Sequence, residues 1–263
     1  MSNGLVMTGR TDTGMVREHN EDSFQIAPEI GLAILADGMG GHLAGEVASA
    51  MAVDQVTSYL LPVLRKKSKS SRKQDGGESP ESTALVEAVQ TANSAIHNAS
   101  VTKPEQAGMG TTIVVAAFHD NLMTVAHVGD SRLYRYRQGA LSQVTQDHSM
   151  VQELLRRGLI SAEEARTSAN RNLVTRALGV EPVVQVDVAE HPFEEGDIYL
   201  LCSDGLNDVL DDGDIAAMLG QYSQDLETAT QEMITEVNAR GGPDNVSIVL
   251  IRTDGHFKPQ PDG

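Results

Sequence analysis

A chain of 263 residues with 40% apolar content can bury a large core as one domain, although its length also accommodates two small ones. The net charge of −17 argues against a nucleic-acid partner, which needs a basic footprint, and the single Cys202 excludes an intramolecular disulfide framework and any cysteine-based zinc cluster. No stretch reaches the ~18 apolar residues of a membrane span, and the opening MSNGLVMTGR has no basic segment followed by an apolar one, so a soluble, cytoplasmic protein is the expectation.

Leu5–Thr11 reads as a strand and Asp12-Thr13-Gly14 as a turn. Beyond Val16–Asp22, a strand over Ser23–Ile26 leads through Pro28 and Gly31 into Leu32–Leu35, a short buried strand that stops at Asp37. Gly38, Gly40 and Gly41 let the backbone turn sharply there and approach a ligand without a Cβ in the way. Val47, Met51, Val53, Val56, Leu60 and Leu64 recur at near-helical spacing and predict a long helix ending in a basic block, Arg65–Lys73. Ser68–Ser82, rich in Lys, Ser and Gly, reads as an exposed, mobile loop, and Leu85, Val89, Ala92 and Ile96 predict a second helix.

Strands follow at Thr111–Phe118, Leu122–Val128, Leu133–Arg137 and Leu141–Thr145, then short helices at Ser149–Gly158 and Ser161–Arg166. Further strands are expected at Val183–Val188 and Ile198–Cys202, a helix at Asp225–Arg240, and a last strand at Val246–Arg252. Gly255–Gly263 reads as a polar, disordered tail. Runs of strands beside paired helices point to an α+β layered fold with largely antiparallel sheets.

The chemistry lies where the apolar runs stop. Leu32–Leu35, Thr124–Val128 and Ile198–Cys202 end at Asp37, Asp130 and Asp204, each beside Gly or Ser, and Asp244 stands just before Val246–Ile251. A carboxylate at the end of a buried strand is costly unless a partner or a metal balances it. If those ends converge, Asp22, Asp37, Asp130, Asp204 and Asp244 share one place, with no histidine at ligand spacing. Such an all-oxygen set selects hard cations, Mg²⁺ or Mn²⁺, over zinc. Two ions roughly 3.5–4 Å apart can orient a water for in-line attack on phosphorus. Arg17, four residues before Glu21-Asp22, suits a bidentate grip on phosphate oxygens. Taken singly, each residue has an ordinary reading: an Asp beside Gly is commonly a turn former or helix cap, Asp211, Asp212 and Asp214 read as capping residues, and Cys202 as core. The joint pattern carries the argument.

Seven segments, in order, resemble the motif series of the metal-dependent type 2C (PPM) Ser/Thr protein phosphatases, bacterial branch. They are Arg17-Glu18-His19-Asn20-Glu21-Asp22, Asp37-Gly38-Met39-Gly40-Gly41-His42, Gly110-Thr111-Thr112, Val128-Gly129-Asp130-Ser131-Arg132, Thr145-Gln146-Asp147-His148-Ser149, Ser203-Asp204-Gly205 and Gly242-Pro243-Asp244-Asn245. The resemblance spans about residues 5–252. It implies a four-layer αββα sandwich, two antiparallel sheets flanked by pairs of helices, as a single domain over 1–255. It further implies a flap at about 147–179 beside the active site; the mobile basic loop at about 65–82, longer than a compact member needs, and the polar tail at 256–263 are read from composition instead.

By position, the resemblance makes Asp37 the bridge between two Mn²⁺ or Mg²⁺ ions, served also by the Gly38 carbonyl, Asp204 and Asp244. Glu21 and Asp22 would bind metal-bound waters, Asp130 would help Asp204 hold a third, weaker ion, and Arg17 would hold the substrate phosphate. The implied reaction is direct attack of a water bridging the two ions on phosphoserine or phosphothreonine, in proteins phosphorylated by a Ser/Thr kinase. The chain departs from the pattern of animal members at Met39, where they commonly have His as the proposed general acid; His42 lies three residues on. His42, a metal-bound water or no group at all are the alternatives for protonating the leaving group. Cys202 is no thiol-phosphatase nucleophile, because position 208, six residues on, is Asp rather than Arg. The non-catalytic rival is a regulatory or phosphoprotein-binding module of the same fold, which the intact acids at 37, 204 and 244 disfavour.

Overall fold

Consecutive residues of the inner strands are apolar because each strand buries both faces. Along β3 (Leu32–Met39), Leu32, Ile34 and Ala36 pack under helices, while Ala33 and Leu35 pack against the opposite sheet. The same alternation divides Val246, Ile248 and Leu250 from Val249 and Ile251 on β11 (Val246–Thr253). This computed structural model describes residues 4–40, 44–65, 79–168, 170, 172–255 and 257.

One sheet runs in the order β1 (Leu5–Asp12), β11, β10 (Ile198–Cys202), β7 (Arg132–Arg137), β8 (Ala140–Gln143). The other runs β2 (Asp22–Ala27), β3, β5 (Ile113–His119), β6 (Leu122–Val128), β9 (Asp187–Pro192), with the two-residue β4 (Gly110–Thr111) also pairing β3. Every pairing is antiparallel. The long helices α1 (Ala44–Arg65) and α2 (Pro80–Thr102) cover the second sheet. The short α3 (Met150–Arg156), α4 (Ala162–Thr167) and α5 (Asp204–Asn207) follow in the chain, and α6 (Asp212–Gln221) and α7 (Leu226–Ala239) cover the first sheet. Three apolar cores result, helix on sheet, sheet on sheet, sheet on helix: the αββα sandwich expected.

Several expectations shift. The loop expected through Ser82 ends at Ser79, whose side chain accepts from Ser82 N–H with Pro80 in the first turn, so a Ser-Pro cap starts α2. The rest of that basic loop, 66–78, lies outside the described residues. The strand expected at Val183–Val188 is displaced to Asp187–Pro192, because pairing with β6 runs from His127↔Asp187 to Leu122↔Pro192. Strand β8 stops at Gln143, where the N–H groups of Val144 and Thr145 both turn to the Leu133 carbonyl. Helix α6 has no counterpart among the expected elements, since it buries only Ile215 and Leu219; its N-cap is Asp211, as the capping reading requires. Helix α1 is long and apolar enough by composition to cross a membrane, contrary to the sequence reading, yet it packs on β3 and α2. Finally, the tail contains Phe257, 1% exposed in the inter-sheet core. Gly31, at φ +69°, makes room for it: a Cβ there would fall 2.6 Å from the Phe257 ring.

Candidate active site

Antiparallel pairing brings the start of β2 beside the end of β3, and β10 and β11 meet likewise at Cys202↔Ile248. Asp22 therefore stands directly opposite Asp37 in the register. Like charges facing across a strand pair are destabilising, and Asp22 is 7% exposed. The two sheets meet here: Ser203 Oγ donates to Asp22 Oδ2 at 2.8 Å and accepts from Ser247 N–H at 2.9 Å. Asp22 Oδ1 is buried with no hydrogen-bond partner among the described residues. Such an orphaned acceptor costs about 1–3 kcal/mol unless something occupies the space before it.

The Gly110-Thr111-Thr112 segment clamps the backbone of Asp37. Its carbonyl accepts from Thr112 N–H and Thr111 Oγ1, both at 2.8 Å, while its N–H donates to Thr112 Oγ1 at 3.0 Å. Thr112 Oγ1 also lies 2.7 Å from Ser131 Oγ, linking Asp37 to the Asp130 turn. Burial and then the charges of Asp22, Asp204, Asp130 and Asp244 push the Asp37 carboxyl well above the usual range. Burial and then Asp130, Asp208 and Asp244 do the same to Asp204. Asp22 and Asp130 are raised to about 6, in both cases chiefly by burial. The five acids singled out in the sequence thus converge, and Asp208, which sequence reasoning noted only as a missing arginine, joins them. It lies one helical turn after Asp204, a spacing that could have signalled it.

Arg17 enters from a loop docked on the 242–245 turn. Asn245 holds that loop: its Nδ2 donates to the carbonyls of Thr13 and His19, both at 2.9 Å, and its Oδ1 accepts from Glu21 N–H at 2.8 Å. Arg17 Nη2 donates to Asp244 Oδ2 at 2.6 Å, and its side chain stays half exposed. Glu21 lies over Gly45 in the first turn of α1 and accepts from its N–H, yet burial raises its carboxyl. Gly38 donates its N–H to the Glu21 carbonyl at 3.1 Å, and a Cβ there would strike Gly45 O at 2.1 Å, so the residue at 38 has to be glycine. His42 lies outside the described residues.

The flap leaves the sheet at His148, which the sequence reading left without a role. His148 Nδ1 accepts from Gly129 N–H at 3.0 Å, its own N–H donates to the Gly129 carbonyl, and its ring stacks on His127 at 4.7 Å. Burial, then His127 and Arg176, lower its pKa to about 4. His127, His148 and Asp187 bring ligand atoms within 4.8 Å of one another, a grouping that sequence spacing did not reveal. Arg176 already supplies the cation there, 2.7 Å from Asp187 Oδ1 and 3.0 Å from His148 Nε2. Cys202 is fully buried, its thiol pushed up to about 12 by desolvation.

A family model described as protein phosphatase 2C matches residues 15–240. The chain is 39% identical over 248 residues to the serine/threonine phosphatase stp of Listeria monocytogenes, covering 93% of this chain and 94% of that one. The crystal structure of the Mycobacterium tuberculosis serine/threonine phosphatase PstP superposes with a TM-score of 0.82 at 37% identity, covering 95% of this chain and 99% of that one. A structure of the PstP catalytic domain in complex with two manganese ions gives 0.80 at 35% identity, covering 94% and 97%.

Proposed function

The chain belongs to the protein phosphatase 2C family, and we infer from that premise which of its residues carry the chemistry. It is a metal-dependent protein serine/threonine phosphatase that works with two Mn²⁺ or Mg²⁺ ions on phosphoprotein substrates. The observation that carries the assignment to this site is the convergence of Asp22, Asp37, Asp130, Asp204 and Asp244 at one end of the sandwich. These are buried carboxylates that raise one another's pKa, with an orphaned Asp22 oxygen among them. That set fits hard divalent cations, because its donors are oxygen and its repulsion is relieved by positive charge. Asp37, the Gly38 carbonyl, Asp204 and Asp244 would hold the pair, Glu21 and Asp22 would hold waters around it, and Asp130 with Asp204 would take a third, weaker ion. When bound, the ions lower the pKa of a shared water and align it for in-line attack on phosphorus.

The protein's own groups do the rest. The Arg17 guanidinium has five N–H donors; one rests on Asp244, and the exposed remainder can fork onto two phosphate oxygens and fix the ester for attack. Asn245 keeps the Arg17 loop in place, and the threonine clamp keeps Asp37 in register. The Cys202 thiol, buried and unionised, takes no part; the new P–O bond comes from water as the ester P–O bond breaks and the serine or threonine hydroxyl leaves. Met39 carries no titratable proton. His42 is retained as the candidate donor to the leaving oxygen. We place the protein in the cytoplasm, acting on the products of Ser/Thr kinases, with neither nucleic acid nor membrane as a partner; the net charge of −17 supports the part of that reading that concerns nucleic acid.

The test is hydrolysis of 4-nitrophenyl phosphate and a phosphothreonine peptide by metal-stripped protein with Mn²⁺, Mg²⁺ or Zn²⁺ restored. Activity should return with Mn²⁺ or Mg²⁺ and fall by more than about 10³-fold in Asp37→Ala. Wild-type turnover in Asp37→Ala would overturn the metal assignment. Phosphopeptide binding without turnover under every metal would favour a recognition module instead.

A further inference from the structure

Gly129 is the hinge on which Asp130 turns. It follows the last residue of β6 at φ +108°, a conformation that glycine alone takes readily, and a Cβ there would fall 2.6 Å from Thr112 Cβ. The peptide on each side of such a residue can swing unless something holds it, and His148 holds both. Its ring takes the first, Nδ1 accepting from Gly129 N–H at 3.0 Å. Its backbone takes the second, the His148 N–H donating to the Gly129 carbonyl at 2.9 Å. That second peptide also carries the Asp130 N–H, which bonds the carboxylate of its own residue. The direction of the Asp130 carboxylate is therefore set by a hinge that His148 grips on both flanks.

An acceptor at Nδ1 leaves the ring proton of neutral His148 on Nε2. Nε2 lies 3.3 Å from Asp187 Oδ2, so that proton has its carboxylate, while Asp187 Oδ1 takes Arg176 Nη1 at 2.7 Å. The His127 ring stacks on that of His148 with 14° between the planes, and its own Nε2 lies 2.9 Å from the Gln146 carbonyl. Burial lowers the pKa of both rings, which stay neutral at physiological pH. Tautomer and ring plane are thus both fixed. Two histidines and an aspartate would suit zinc, but with both nitrogens engaged His148 has no free lone pair for a metal. What remains is an acceptor of fixed position, the kind of support that orients a metal ligand from behind. Resting on the phosphatase reading above, we propose that His148 is a positioning residue for the metal site: through Gly129 N–H it aims the Asp130 carboxylate at the ion that Asp130 and Asp204 would share. The backbone bond at 148 forms with any side chain, whereas the ring bond requires an acceptor where Nδ1 stands.

The experiment compares His148→Asn, whose Oδ1 stands where Nδ1 does and still accepts from Gly129, with His148→Gln, whose amide reaches the Nε2 position and keeps only the bond to Asp187. Nitrogen-15 spectra of the wild type in EDTA at neutral pH should show His148 Nδ1 unprotonated and Nε2 protonated. Gly129 N–H should exchange with solvent about tenfold faster in His148→Gln than in the wild type, and close to the wild-type rate in His148→Asn. Mn²⁺ titration followed by electron paramagnetic resonance of the free ion should show the weakest class of site losing about tenfold in affinity in His148→Gln. His148→Asn should restore it, and the tighter class should be unchanged in both variants. A wild-type ring protonated at Nδ1 would overturn the proposal even if neither variant folds. So would equal Mn²⁺ affinities in the Asn and Gln variants, an equal loss from the tight and weak classes, or the absence of a weak class in the wild type. A role in stability alone would lower Tm in EDTA and leave Mn²⁺ affinity untouched, which also overturns it. Hydrolysis of 4-nitrophenyl phosphate, scored separately, tests the phosphatase reading: its absence alongside the expected difference in Mn²⁺ binding would count against that reading alone.

Discussion

Removing the charge of Asp22 should stabilise the metal-stripped protein and reduce what metal adds. Burial raises its carboxyl from 3.8 to about 6. Below about pH 3.8 folded and unfolded chains both carry the proton, and no cost exists. Between 3.8 and about 6 only the folded chain holds it, so stability falls as pH rises through that window, and above it the whole cost is present. A rise of two pH units corresponds to roughly 3 kcal/mol against folding at neutral pH. Asp22→Asn removes that cost but weakens the bond from Ser203 Oγ by about 1 kcal/mol, as a charged acceptor becomes a neutral one. The net gain of about 2 kcal/mol should raise Tm by roughly 4–8 °C. The assay is thermal denaturation in EDTA at about pH 4.5 and about pH 7.5, then with Mn²⁺. In EDTA the wild type should lose stability between those pH values and Asp22→Asn should lose less. With Mn²⁺ the wild type should gain more than the variant. A lower Tm for Asp22→Asn in EDTA at the higher pH would refute the electrostatic reasoning.

Three other expectations test separate parts of the structure. Arg17→Ala should raise KM for phosphopeptides by about 10–100-fold with kcat changed only a few-fold, in steady-state kinetics; a fall in kcat alone would mean that Arg17 acts on the transition state instead. Asn245→Ala removes three hydrogen bonds that dock the Arg17 loop and should cost about 2–3 kcal/mol in denaturant melts, with faster proteolysis between residues 13 and 21. Phe257→Ala should cost about 3–5 kcal/mol, and unchanged melting would show that this end of the chain contributes nothing to the inter-sheet core.

The long helices, the inner strands and the acids that end them are legible in one dimension because burial acts on each residue in turn. An inner strand such as Leu32–Leu35 must be apolar at every position, a helix such as Asp225–Arg240 must be apolar along one face, and an aspartate where such a run stops is conspicuous. The seven ordered segments added the family, and with it the layered fold and the metal chemistry. Elements that bury little escape such a reading: α6 rests on Ile215 and Leu219, and β9 is placed by its register against β6 rather than by its own pattern. The role of His148 was equally invisible, because it depends on Gly129, His127 and Arg176, which come from other parts of the chain. Sequence determined which residues bear charge at the ends of buried strands. Only the tertiary structure decided that Asp22 faces Asp37, that Ser203 and Asn245 tie the two sheets and the Arg17 loop together, and that Phe257 closes the core, since each depends on a distance between parts of the chain that local pattern does not encode.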